Sequence, residues 1–416
     1  MMIFLKRFFG SLFLAILVFL FHLLGAERAS AQENPFPLLP GLEASVEFWK
    51  IVFTRYSTSE LIFHDPLDPL KIYKILEMRE DAPRRLIHEQ RKKVLAELGL
   101  DQDEARVRVQ RGVKERFAAG LQRSRKYISQ IQQIFREEGL PVELAYLPLV
   151  ESAFNVHARS RVGALGMWQF MPATGRRFLR IGPGLDERKD PLDSTRAAAR
   201  LLKENFRAFG NWPLAITAYN HGREGLQRGV SQVGSKDLME IIQRYEGRAF
   251  GFASKNFYAE FLAAVEVAKR SEEFFPALEY HAPVRLGEVE VERTIPVTDL
   301  LKRADILRDE FLEWNPGLNS KSRSIPAGYR IKVPEEKLEI VQAAYLRAIG
   351  KPGPEPKPTS FGETAMSWIR HRVARGQTLS HIARIYRVSV GELQRLNKLP
   401  DIHSITAGEY LTIPRH

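Results

Sequence analysis

A single carboxylate, Glu151, ends an apolar stretch and is followed by a loop rich in glycine. Pro141 suits the first turn of a helix and residues 142–150 are largely apolar, so the sequence predicts a helix that ends near Glu151. The negative end of the helix dipole and the apolar neighbours both disfavour an ionised carboxylate there. We therefore expect the pKa of Glu151 to be raised toward neutrality, as a general acid requires. The alternative is an ordinary solvated glutamate that finishes an amphipathic helix.

The loop that follows favours the first interpretation. Gly163 and Gly166 bracket two residues, and paired glycines let the backbone approach a ligand closely or adopt conformations closed to other residues. Trp168, Gln169 and Met171 come next. We interpret them as an aromatic platform, an amide that donates and accepts, and a flexible apolar contact. This combination indicates a sugar-binding cleft more than a packed core.

Three sequence blocks carry a family resemblance. They are ESAFN at 151–155 with Ser160 after it, GALGMWQFMP at 163–172, and AYNHG at 218–222. In this order they closely resemble the soluble-lytic-transglycosylase (SLT) domain, over roughly residues 120–270. Within that family the chain looks most similar to the membrane-bound murein transglycosylase D group, whose members also carry C-terminal LysM modules.

The resemblance implies an α+β chain with a mainly α-helical, lysozyme-like catalytic domain in which Glu151 is the acid and base. The residues implied to line the sugar subsites are Ser160, Gly166, Gln169, Met171, Tyr219 and Asn220. Many relatives place a tyrosine directly after an asparagine of a late helix, whereas this chain reads Asn256-Phe257-Tyr258. Tyr258 is therefore a predicted site residue only if a hydroxyl displaced by one position fills the same role.

The resemblance also implies a reaction on peptidoglycan glycan strands that uses no metal or organic cofactor. The substrate supplies its own nucleophile, and the product of cleavage at the MurNAc-GlcNAc bond is a 1,6-anhydro end. Two alternatives stay open, a hydrolytic muramidase and a catalytically silent wall-binding protein. A hydrolase needs a second carboxylate, and the candidates, Asp190 and Asp193, already have an explanation as caps of the helical pattern at 196–209.

The N-terminal residues resemble an export signal. Lys6 and Arg7 precede the apolar residues 12–24, and Ala29-Ser30-Ala31 offers a small-residue cleavage site, so we predict a signal peptide over residues 1–31. The periplasm or cell envelope is the predicted location, and an uncleaved N-terminal anchor is the alternative. The chain has no cysteine, which excludes a lipoprotein, disulfides and thiol chemistry.

Charge and histidine spacing narrow the possible partners. The net charge of +12 has two interpretations, an ordinary solvated surface and a surface that favours adsorption to a polyanion. Because export is predicted, the cell wall or an anionic membrane is a better candidate than nucleic acid. The ten histidines are scattered, without the spacing that places two imidazoles on one helix face, so no metal site is predicted.

The 416 residues suggest two or three domains. We predict a helical N-terminal region over 32–119, acting as scaffold, and a catalytic domain over 120–272. An internal repeat follows, in which FLEWN at 311–315 matches LQRLN at 393–397 and the strand-like residues 325–334 match 405–414. A stiff proline-rich linker at 350–360 separates the copies.

The second copy, residues 371–415, resembles a LysM domain, a βααβ module that binds N-acetylglucosamine chains. The glycan contacts implied by that resemblance are Gly376, Thr378, Leu379, Asn397 and Ile402. The first copy, residues 289–335, is LysM-like but lacks the Gly-x-Thr-Leu opening of the second. Packing against the catalytic domain and sugar binding are equally expected for it.

Overall fold

The computed structural model describes residues 34–101, 103–352, 367–374, 376–386, 388–401 and 404–415. The predicted signal peptide, residues 353–360 of the predicted linker, and Ile402 lie outside the described residues. Within the described residues, no helix combines the length and apolar character needed to span a bilayer.

A three-stranded antiparallel sheet lies in the N-terminal region, in the order β2-β1-β3. The elements are α1 (Glu43–Thr54), β1 (Glu60–His64), β2 (Ile72–Glu77), α2 (Arg84–Glu97) and β3 (Arg108–Arg111). The prediction that residues 32–119 are helical is therefore wrong over much of 60–111. The strands are four to six residues long, and apolar runs of that length do not distinguish a strand from a helix turn.

Ten helices and two 3₁₀ turns form the central region, where the long helices surround one apolar core. They are α3 (Lys114–Ser124), α4 (Ile128–Glu137), a 3₁₀ turn (Val142–Tyr146), α5 (Leu147–Ser152), α6 (Pro172–Gly175), a 3₁₀ turn (Glu187–Lys189), α7 (Pro191–Phe209), α8 (Trp212–His221), α9 (Arg223–Val233), α10 (Leu238–Arg244), α11 (Phe252–Lys269) and α12 (Ser271–Phe274). Asp190 caps α7 by accepting from the Leu192 and Asp193 amides at 3.0 and 2.9 Å. Gly210, at φ 81°, ends that helix.

The first repeat copy forms a small α/β module. Its elements are β4 (Leu286–Glu290), β5 (Ile295–Pro296), α13 (Val297–Ala304), α14 (Arg308–Trp314), β6 (Ser324–Ile325), β7 (Arg330–Pro334), a 3₁₀ turn (Glu335–Lys337) and α15 (Leu338–Ala348). β4 pairs with β7 and β5 with β6, both antiparallel. The apolar face of this module is filled by its own residues, including Val289, Phe311 and Ile331.

A buried charged cluster joins this module to the catalytic region. Lys332 of β7 is fully buried and its Nζ lies 2.8 Å from Asp190 Oδ2, with Asp193 as a second partner. Burial alone would lower the pKa of Lys332, but the two carboxylates raise it above its usual value. Arg330 also pairs with Asp193. The module therefore packs against α7 through an ion-pair cluster whose lysine and two aspartates are buried.

The second repeat copy has the order β8 (Ser367–Arg372), α16 (Leu379–Tyr386), α17 (Val390–Leu396) and β9 (Tyr410–Arg415), with β8 and β9 antiparallel. One asparagine organises each copy in the same way. Asn315 donates to Phe311 O and Lys332 O and accepts from Lys332 N at 2.9 Å. Asn397 donates to Leu393 O and Thr412 O and accepts from Thr412 N at 2.6 Å. These shared contacts establish that the sequence repeat is also a structural one.

Candidate active site

Glu151 lies one residue before the end of α5, a helix of six residues. Pro148 and the 3₁₀ turn before it interrupt the single helix that the sequence predicts, but the position of Glu151 at the helix end is confirmed. The chain then reverses through Ala153 and Phe154, at φ 51° and 57°. Arg123 stabilises this left-handed turn by donating from Nε to Ala153 O at 2.8 Å. The turn fixes where the glutamate side chain leaves the helix.

Burial raises the pKa of Glu151 from 4.5 to about 8. The Glu151 residue is half-buried. Its carboxylate makes no hydrogen bond or ion pair with the described residues. Without a donor or cation to stabilise its charge, the carboxyl group is mainly protonated at pH 7. The expected shift toward neutrality is present, and its physical cause here is desolvation.

A second carboxyl group, Glu260 of α11, accompanies Glu151. Burial, with a smaller contribution from the charge of Glu151, raises the pKa of Glu260 to about 8, while Arg108 opposes that shift. α5 packs against α11, and Glu260 is also without a hydrogen-bond partner among the described residues. The carboxyl group beside Glu151 is therefore Glu260, and not Asp190 or Asp193, the two candidates that the sequence offers. Sequence reasoning missed Glu260 because it lies more than a hundred positions after Glu151.

The glycine loop is held in place by an arginine that sequence reasoning also missed. Gly166 has φ +81°, and a Cβ there would lie 1.8 Å from Arg188 O, so no other residue fits. Arg188 is buried, and its Nη1 donates to Gly163 O at 2.9 Å and to Phe170 O at 3.1 Å. Ser160 closes the loop by accepting from Ala164 N at 2.9 Å. Gly166 and Ser160 thus fix the conformation of the loop that follows Glu151.

Gln169 and Tyr219 bring the second and third sequence blocks together. Gln169 has a left-handed φ of 49°, and its Nε2 donates to Gly166 O at 2.7 Å. Tyr219 donates its hydroxyl to Trp168 O at 2.8 Å. Burial and then the nearby charge of Glu151 raise the pKa of Tyr219 well above its usual value. Tyr219 is thus placed beside the glutamate.

Met171 and Asn220 offer accessible side chains near these residues. Met171 is 40% exposed, a large fraction for an apolar residue. Asn220 is exposed at the end of α8, and its Oδ1 accepts from Ser254 Oγ at 2.9 Å, which leaves its amide nitrogen without a described partner. Both side chains are therefore available to a ligand.

Trp168 and Tyr258 are buried, and neither side chain lies where the sequence predicts a contact with sugar. Trp168 is fully buried, and its Nε1 donates to Thr195 Oγ1 at 2.9 Å, so the interpretation as an exposed sugar platform is wrong. Tyr258 is also fully buried, and its hydroxyl donates to Pro37 O at 2.9 Å. Glu260 follows Tyr258 by two positions, about 200° around the helix, so Tyr258 points away from that carboxyl group. Tyr258 anchors the N-terminal segment to α11.

The residues predicted to bind glycan in the second repeat copy fall into two groups. Leu379 is fully buried in the module core, and both ends of the Asn397 amide bond to the module backbone, so we do not expect either side chain to contact glycan. Gly376 adopts φ 84°. Thr378 accepts from His381 N at 3.2 Å at the start of α16. These two remain predicted contacts.

Comparison with known proteins agrees with the three blocks. A family model described as the transglycosylase SLT domain matches residues 128–242, and one described as the LysM domain matches residues 371–414. A protein of Alteromonas sp. (strain M-1), named a putative tributyltin chloride resistance protein, is 33% identical over 158 residues, 38% of this chain and 74% of that protein. This chain belongs to the transglycosylase SLT-domain family. Glu151 and the glycine loop lie inside the SLT-domain match, whereas Glu260 lies beyond its end.

Two further SLT-family likenesses come from Escherichia coli. Membrane-bound lytic murein transglycosylase D of strain K12 is 26% identical over 298 residues, which are 70% of this chain and 64% of that protein. The chain therefore matches less than two thirds of that relative's length. The crystal structure of the 70 kDa soluble lytic transglycosylase has a TM-score of 0.30 and 17% identity, over 47% of this chain and 30% of that one.

Proposed function

We propose that this protein is a peptidoglycan lytic transglycosylase that cleaves the β-1,4 bond between MurNAc and GlcNAc without adding water. The observation that carries the proposal is the neutral carboxyl group of Glu151, with its pKa about 8, beside a loop that only glycine can form. A general acid that operates near neutral pH needs such a pKa. The name of the Escherichia coli relative points to the same substrate, murein.

In the proposed reaction, the glycosidic C1–O4 bond breaks and O4 leaves with the bonding electrons and the proton of Glu151. The neighbouring acetamido group stabilises the positive charge at C1. The C6 hydroxyl oxygen of the same sugar then bonds to C1 and returns its proton to the Glu151 carboxylate. Atoms and charge balance without water, and the product is a 1,6-anhydroMurNAc end. Tyr219, Gln169 and Asn220 would hold the sugar in position.

Hydrolysis is the second candidate, because Glu260 supplies the second carboxyl group that a muramidase needs. A base or nucleophile must be ionised, however. With its pKa about 8, Glu260 is mainly protonated at pH 7. In the proposed function, Glu260 is therefore neutral, and Glu151 is the one group that exchanges a proton with the substrate.

Turnover of purified sacculi by Glu151→Gln tests the role of the acid. We expect a loss of about a hundredfold or more, the usual minimum for removing a general acid. Glu143→Gln is a matched control, because Glu143 lies in the preceding 3₁₀ turn and pairs with Lys269 at 2.9 Å. A Glu151→Gln variant with the turnover of the control would contradict the proposal.

Wall binding and export complete the proposed function. The LysM domain would tether the enzyme to glycan, which raises the local substrate concentration without changing the transition state. Truncation after Gly350 should then lower activity on sacculi and leave the rate on short soluble glycans unchanged. The N-terminal signal and the net charge of +12 favour the cell envelope as the location, with the wall or anionic membrane as the attractive surface.

A further inference from the structure

A basic cavity of about 510 Å³ lies in the N-terminal region, between α2 and β3. Its basic lining residues are three arginines and one histidine, Arg84, Arg91, Arg108 and His88, and no acidic residue is among the lining residues of the described chain. Its remaining lining residues are Pro66, Ile87, Ala105, Val107 and Val109. A cavity with cationic groups and small apolar surfaces fits a ligand that carries carboxylates and small apolar side chains.

Three of the four basic side chains form no ion pair within the described residues, although the charge of Arg108 acts on Glu260 at longer range. Arg84, His88 and Arg108 form no hydrogen bond or ion pair there through their side chains. Arg91 differs, because its Nε donates to Val107 O at 2.7 Å and it lies 3.5 Å from Glu104. Arg91 therefore stabilises the cavity wall. Arg84 carries a positive charge that no described residue pairs with, and His88 and Arg108 add further hydrogen-bond donors.

The cavity and the candidate active site both adjoin α11, because Arg108 lines the cavity and also lies over the first residue of that helix. The Arg108 guanidinium lies 3.8 Å from the ring centroid of Phe252, the first residue of α11. Glu260 lies eight residues further along that helix, about 12 Å at 1.5 Å per residue. Arg108 is close enough to lower the pKa of Glu260. A peptide of four residues spans up to about 14 Å, which is comparable to this rise along α11.

We propose that this cavity is a subsite for an acidic peptide attached to the glycan strand being cleaved. The inference rests on the proposed function, because the stem peptides of peptidoglycan carry free carboxylates and alanine methyl groups. Arg84 and His88 would pair with the carboxylates, and Ile87 and Val109 would contact the methyl groups. The catalytic cleft would thereby select strands that still carry their peptides.

The test compares glycan strands of equal length with and without stem peptides, using the full chain. We expect the wild type to have a higher kcat/KM on peptide-bearing strands. In Arg84→Gln/His88→Gln, kcat/KM on those strands should fall about fivefold, as expected for the loss of polar contacts from two exposed side chains, and stay unchanged on peptide-free strands. Arg85→Gln is the matched control, because Arg85 adjoins Arg84 but does not line the cavity and is 84% exposed.

Equal rates of the wild type on both strands, or equal losses by the double variant on both, would overturn the inference. A binding assay with phosphatidylglycerol vesicles tests whether the cavity binds lipid phosphate in place of peptide carboxylates. If the double variant loses vesicle binding but keeps the wild-type preference for peptide-bearing strands, the cavity binds lipid phosphate and the proposal is wrong. A wild type that cleaves neither strand would contradict the proposed function. In that case, calorimetric titration with free stem tetrapeptide tests the subsite separately. Equal affinities of the wild type and the double variant for this peptide would overturn the inference.

Discussion

Burial, and then the charge of Glu151 at the end of α5, raise the pKa of Glu260 in α11, so the candidate active site contains two interacting carboxyl groups with pKa values about 8. Two carboxylates in a sugar-cleaving cleft would ordinarily indicate hydrolysis. Here burial keeps both groups mainly protonated at pH 7. Glu151 is therefore available as a proton donor at pH 7. The ionised second carboxylate that hydrolysis needs is not available at that pH.

The role of Glu260 can be tested by Glu260→Gln, which keeps the shape of the side chain and removes its titration. Because Glu260 is mainly neutral at pH 7, we expect a small change in kcat and unchanged products. Loss of a true general base would instead cost about a hundredfold. Glu266→Gln, on the same helix and paired with Lys50 at 2.9 Å, is the control. A hundredfold loss confined to Glu260→Gln would contradict the assignment.

The pH dependence of stability gives a second prediction. The two glutamates have folded pKa values about 8 against 4.5 for the free group, so the folded state binds more protons between these values. Their stabilising contribution is fully present below pH 4.5 and is lost as pH rises through about 8. Glu151→Gln/Glu260→Gln should therefore unfold at a higher temperature than wild type at pH 9, with the difference closing near pH 4.5. A difference independent of pH would refute the raised pKa values.

Local sequence predicted the parts of the site that depend on local chemistry. The helix end at Glu151 and the left-handed backbone at Gly166 follow from backbone preferences of neighbouring residues. Glu260, Arg188 and the inward orientation of Trp168 depend on contacts between distant segments, which periodicity does not report. The N-terminal sheet was missed for a related reason, because its short strands are recognised only when they pair.

Tyr258 and Tyr219 provide a matched pair of hydroxyl deletions. Tyr258→Phe removes a buried hydrogen bond to Pro37 O, so we expect the free energy of unfolding to fall by about 1 kcal/mol with unchanged kinetics. Tyr219→Phe removes the bond to Trp168 O beside Glu151, and cleavage should slow markedly. Steady-state kinetics and thermal unfolding of both variants check this. Slower cleavage by Tyr258→Phe at normal stability would place that hydroxyl in the site.

The charged cluster between β7 and α7 predicts that substitution of Lys332 has a large effect on stability. Lys332→Met leaves Asp190 and Asp193 buried without their main cation, which should lower the free energy of unfolding by about 3–5 kcal/mol. Lys337→Met is the control, because Lys337 is partly exposed and lies 3.7 Å from Glu310. Denaturant unfolding measures both. Equal effects of the two substitutions would show that the cluster does not hold the module against α7.

Mass analysis of the fragments that the wild type releases from purified sacculi tests the central claim most directly. If Glu151 acts alone on a substrate that supplies its own nucleophile, the muramic acid ends are anhydro ends, lighter by one water than hydrolysed ends. Glu151→Gln, as the control, should release almost none of them. Predominantly reducing ends would contradict the account and assign an ionised, water-activating role to Glu260.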